Sequence, residues 1–62
     1  MEELVGQRVK VVFNATSGLV SCEGKILRFV GDFMVFDGIQ GVVYYSTKYI
    51  RSISILYKEV VL

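Results

Sequence analysis

Gly31-Asp32 separates two runs of strand-forming residues, and this reversal fixes the centre of the chain. Glu23 to Val30, EGKILRFV, precedes it, and Phe33 to Asp37, FMVFD, follows it. A glycine at a two-residue reversal supplies the positive φ that hairpin turns demand. A single hairpin is marginal in water, so the rest of the chain must add strands to it. It is equipped to do so: eleven Val, five Ile, four Tyr and four Phe stand against one Ala, a balance that favours strand over helix.

Read in order, the chain offers five strands. Residues 1–6, MEELVG, form at most one helical turn, with Leu4 and Val5 placed to cover one end of a core. Gln7 to Phe13 alternates, with Val9, Val11 and Phe13 on one face and Arg8, Lys10 and Val12 on the other. Asn14-Ala15-Thr16-Ser17-Gly18 then reads as a five-residue hairpin loop. The second strand runs from Leu19 to about Phe29 and changes phase: Val20, Cys22 and Ile26 share one parity, Leu27 and Phe29 the other. Gly24, just before the change, predicts a bulge or bend that places one strand in both halves of a barrel.

Phe33 to Phe36 is apolar throughout, as in a strand covered on both faces. Asp37-Gly38 predicts another turn, Gly41 to Tyr45 a fourth strand, and Ser46-Thr47-Lys48 a turn or a single 3₁₀ turn. From Ile50 to Leu62 the fifth strand turns Ile53 and Ile55 inward, and its tail, Tyr57 to Leu62, reads as an interface element. The expected fold is all-β: a single domain over residues 1–62, built as a small, strongly bent, five-stranded antiparallel barrel of SH3-like size.

A chain of 62 residues buries only about 60% of the surface that it exposes when unfolded, so such domains commonly lean on disulfides, metals or oligomerisation. One cysteine, Cys22, and no histidine leave oligomerisation. Apolar residues and glycine, tyrosine set aside, make up 35 of the 62 residues, more than the roughly 45–50% usual in globular domains. The excess predicts apolar contacts between subunits, hence a homo-oligomer. A formal charge of +1 gives no global pull toward nucleic acid or anionic membrane. No apolar run approaches a membrane span and Met1-Glu2-Glu3 is unlike a secretory leader, so the expected location is cytoplasmic, with no membrane partner.

Four segments resemble the Sm-like family, which includes the bacterial Hfq proteins. They are Gly6-Gln7-x-Val9-x-Val11, Gly24-x-Ile26-x-x-Phe29, Phe33-Met34-Val35-Phe36 and Tyr49-Ile50-Arg51-x-Ile53, and together they span nearly the whole chain. The resemblance implies a bent five-stranded barrel that assembles into a ring through its fourth and fifth strands and binds single-stranded RNA. Val30 and Val35 stand where Sm proteins place an Asp and an Asn, and Tyr49-Ile50-Arg51 stands where they place a basic residue followed by glycine. The search for an RNA site therefore moves to Tyr44–Arg51.

There, Lys48 and Arg51 are flanked by Tyr44, Tyr45 and Tyr49. Aromatic rings can stack bases while cations hold phosphate, and a ring would repeat the set in every subunit. Lys48, Arg51, Tyr49 and Tyr45 are thus the candidate RNA-binding residues, and Arg8, Lys10, Lys25 and Arg28 form a second possible basic face. The residue types offer no nucleophilic triad, metal-ligand spacing or phosphate-cradling loop, so neither an enzyme nor a cofactor is expected. Asp32 and Asp37 read as turn residues. The alternative function is a non-catalytic oligomeric barrel that has lost RNA binding and holds a protein partner.

Overall fold

The longest strand of the protein belongs to two half-sheets at once. In the computed structural model, which describes residues 2–56, β1 spans Arg8–Ala15, β2 Gly18–Val30, β3 Phe33–Gly38, β4 Gly41–Ser46 and β5 Ile50–Ile55. A 3₁₀ turn at Glu2–Leu4 opens the chain, and a second, Thr47–Tyr49, joins β4 to β5. β2 pairs with β1 from Gly18 to Lys25 and with β3 from Gly24 to Val30, all antiparallel. Gly24 and Lys25 alone are paired on both sides. One half-sheet is therefore β5-β1-β2 and the other β2-β3-β4, with Gly24-Lys25 as their common seam.

Gly24 is required there for space. A Cβ on it would overlap the Asp37 carbonyl oxygen and lie 2.9 Å from carbons of the Phe36 ring. The residue that breaks the ladder is a different one. Ile26 pairs with Phe36 and Arg28 with Val35, which leaves Leu27 as the extra residue of a bulge. The bend expected at Gly24 is thus divided between a close approach at Gly24 and a bulge three residues on. A second irregularity lies in β5: Val12 pairs with Ser52 and Phe13 with Ile50, so Arg51 is the looped-out residue.

The half-sheets fold toward each other over one core. Val9, Val11 and Phe13 of β1 meet Ile26, Met34 and Phe36, with Leu4, Val5, Cys22, Phe29, Tyr45, Ile50 and Ile53 packed around them. Contact across the core is direct, since the Phe13 and Tyr45 rings lie 4.5 Å apart and Phe36 meets Tyr45 edge-on at 6.0 Å. The Gly6 N–H donates to the Ile26 carbonyl at 2.7 Å and closes the N-terminal turn over β2 just before β1 begins. Leu4 and Val5 cover that end of the core, as expected.

The sheet order is β4-β3-β2-β1-β5, and the sheet is not closed into a barrel: β4 and β5 stand at its two ends. Closure was the expected answer to exposed strand edges, and here both edges stay open. Other expectations shift by a few residues. The first hairpin turns at Thr16-Ser17, because Ala15 and Gly18 still pair. The third turns at Ile39-Gln40, because Asp37 and Gly38 are held in the ladder opposite Val42 and Gly41. The Gly31-Asp32 reversal stands as read, between the Val30–Phe33 pair, with Gly31 at φ 55°.

Phe33 and Ile55, expected inside, are exposed: Phe33 opens β3 just before the buried Met34, and Ile55 is the last residue of β5. The Tyr57–Leu62 tail lies outside the described residues. No helix among the described residues is long and apolar enough to cross a membrane.

Candidate nucleic-acid interface

The short path from β4 to β5 collects three of the four candidate RNA-binding residues. Thr47 fixes its start: its N–H and its Oγ1 both donate to the Asp32 carbonyl, at 2.8 and 3.1 Å, tying the turn to the β2–β3 reversal. Lys48 and Tyr49 then project from the 3₁₀ turn, both exposed, with the Lys48 Nζ 5.3 Å from the centre of the Tyr49 ring. That is a cation–π contact, which holds the ammonium beside an aromatic face. Two residues later Arg51 sits in the β5 bulge, freed from the alternation of the strand and exposed to solvent. An aromatic face with one cation against it and another on a bulge matches the chemistry of stacking a base while holding its phosphate.

Tyr45 does not join them. Its partner in the ladder is Met34, so it points to the core side and stacks on Phe13. Burial raises the pKa of its phenol above the usual 10.0, and the neighbouring Cys22 thiol raises it further. Tyr44, of opposite parity, is the exposed tyrosine of β4, and its hydroxyl accepts a hydrogen bond from Arg28 Nη2 at 3.1 Å. Both parities of β4 are apolar, so only the pairing of Val35 with Tyr44 and Met34 with Tyr45 decides which ring faces out.

The second basic set is divided by the fold. Arg8 lies directly opposite Lys25, and Lys10 opposite Glu23. Lys25 has Asp37 as its other neighbour across the sheet. Arg28 stands apart beyond the Leu27 bulge, next to Val35. Two of the four cations therefore face a carboxylate across the ladder. The Arg28–Tyr44 hydrogen bond bridges the two strands that flank Val35, which is only 1% exposed although it lies outside the main core. Arg28 thus helps to cover an apolar side chain on the outer face.

A groove of about 760 Å³ runs between the middle of β2 and the β3–β4 hairpin, with Cys22, Phe36, Val43 and Tyr45 among its lining residues. Among the described residues no group of three His, Cys, Asp or Glu side chains is placed to hold a metal ion. Compared with known proteins, the chain matches no family model, no curated protein and no solved structure.

Proposed function

We propose that this protein is an Sm-like, ring-forming homo-oligomer of the cytoplasm that binds single-stranded RNA and has no catalytic role. The observation that carries the proposal is the opening of the sheet between β4 and β5. The two ends of the sheet are different strands, and pairing β4 of one copy with β5 of the next is a head-to-tail contact, which closes into a ring when the rotation between copies permits. Such pairing would continue each five-stranded sheet into its neighbour and satisfy the outward backbone groups of Val42–Ser46 and Ser52–Ile55. Repetition of Lys48, Tyr49 and Arg51 around the ring would give several weak contacts with one RNA strand and raise its affinity by avidity.

Fluorescence anisotropy with labelled U-rich and A-rich oligonucleotides tests the RNA reading. Binding should weaken with salt, and the slope of log K against log salt should fall by about 0.7 for each phosphate that Lys48→Ala or Arg51→Ala leaves without its cation. Unchanged anisotropy at low salt would refute it. The exposure of Phe33, Val42 and Tyr44, and the withdrawal of Tyr45 into the core, favour a second reading: an oligomeric barrel that holds a protein partner. Assembly without any affinity for oligonucleotide would select that reading.

A further inference from the structure

Beyond β4 and β5 there is a third free edge, independent of the proposed ring. From Gly18 to Glu23, β2 is paired with β1 on one side only, because β3 ends at Gly38 opposite Gly24. Among the described residues no strand lies on its other side. Gly18 to Ser21 are exposed, with Val20 at 44%. The run Gly18-Leu19-Val20-Ser21-Cys22 has no charge, no proline and no bulge, the devices that commonly guard an edge strand.

The groove lies along this same edge. Ser21, Cys22 and Glu23 form one wall, the hairpin tip at Gly38–Gly41 the other, and Phe36, Val43 and Tyr45 contribute apolar lining. Its volume, about 760 Å³, is that of a site for a ligand or a short peptide and too small for a folded domain. The unpaired edge specifies the ligand chemistry. Only a polypeptide in extended conformation offers N–H and C=O groups at strand spacing, and such a strand sends every second side chain to one face.

We infer that the Gly18–Glu23 edge of β2 is a strand-addition site for an extended peptide carrying apolar side chains at alternate positions. The peptide's backbone pairs with β2, and its inward side chains pack beside Val20 and Cys22 against Phe36, Val43 and Tyr45. Arg8 and Lys25 are balanced by Glu23 and Asp37 around the groove, so affinity comes from the ladder and the apolar contacts.

The test is selection from a phage-displayed library of random heptapeptides, followed by NMR with a synthetic peptide of the enriched sequence. Enriched sequences should alternate apolar and polar residues, and the peptide should shift the backbone amides of Leu19–Glu23. N-methylating alternate amides of the peptide should weaken binding about tenfold or more by removing its ladder hydrogen bonds. Val20→Lys should weaken binding similarly while leaving the urea midpoint of the protein unchanged. The inference is overturned by failure to enrich any sequence, by shifts confined to Gly41–Ser46 or Ile50–Ile55, or by indifference to N-methylation. Failure to enrich any sequence and indifference to N-methylation leave ring formation untouched, whereas shifts at Gly41–Ser46 or Ile50–Ile55 would place the peptide on the ring edges instead.

Discussion

The two half-sheets share β2 and one core, yet their outer faces are made of different residues. The β5-β1-β2 half turns Arg8, Lys10, Glu23, Ser52 and Ser54 to solvent. The β2-β3-β4 half exposes Val30, Phe33, Val42 and Tyr44, with Phe33 at 47%, Val42 at 57% and Tyr44 at 54%. Their free edges differ in the same sense. β5 carries a looped-out arginine and two serines, whereas β4, GVVYYS, has no charge, no proline and no bulge. Arg51 limits regular pairing on β5 to the segment after it, while β4 can pair along its whole length. The first half is polar on the face it turns to solvent, and its exposed apolar residues, Leu19, Val20 and Ile55, lie on its edges. The second is a surface built to be covered.

The largest expected effect would break what the halves have in common. Phe36→Ala removes the ring that packs against Gly24, Gly38 and Tyr45, and should cost about 3–5 kcal/mol in urea unfolding. In so small a domain that abolishes most of the folded population, and both halves should be lost in one transition. Separate transitions would mean that the halves have separate cores. Gly24→Val comes next. Its side chain would meet the Asp37 carbonyl and the Phe36 ring, so a loss of about 1–3 kcal/mol is expected, with the pairing of Lys25 to Asp37 disturbed in amide exchange.

Val42→Lys places a charge on the exposed side of β4 opposite Asp37, and should raise the dissociation constant of the oligomer about tenfold or more. Stability of the monomer fold should change by less than about 0.5 kcal/mol, as for other surface substitutions. Sedimentation over a concentration series reads both the mass and the constant. Equal effects from Ser54→Lys and Val42→Lys would support pairing between β4 and β5. An effect from Val42→Lys alone would point to contact between two copies of the β2-β3-β4 half.

The smallest effect concerns Tyr45, which bridges the halves. Burial and the Cys22 contact raise its pKa in the folded state, so its contribution is fully present below the unfolded value of about 10 and is lost as pH rises through the higher folded value. Tyr45→Phe should therefore reduce the fall in melting temperature above that pH, and leave the neutral-pH value little changed. An identical alkaline slope in the variant would show that the phenol gains nothing from its place beside Phe13.

The sequence discloses the strand order and the central reversal because both depend on residues with local meaning. Gly31 can take a φ that other residues avoid, and Val9, Val11 and Phe13 alternate with the less buried Arg8, Lys10, Val12 and Asn14. The bulge at Leu27 has no such marker. It follows from how β2 must pass between Phe36 and Val35, a tertiary demand placed on an ordinary leucine. The Ile39-Gln40 turn was hidden for a similar reason, since Asp37-Gly38 is the stronger local turn signal but is drawn into the ladder beside Gly24.

At the candidate site, the grouping of Lys48, Tyr49 and Arg51 was visible as a cluster in sequence. The inward turn of Tyr45 was not, because β4 is apolar on both parities and register alone chooses the buried face. Arg51's release from the strand also required the pairing with β1 to be seen.

The central claim, that a sheet left open between β4 and β5 assembles through those edges, is tested most directly by the mass of the purified protein in solution. Native mass spectrometry should give one discrete multiple of the 7.0 kDa chain, falling toward the single chain in Val42→Lys. A wild-type protein that remains at 7.0 kDa across the micromolar range would contradict it.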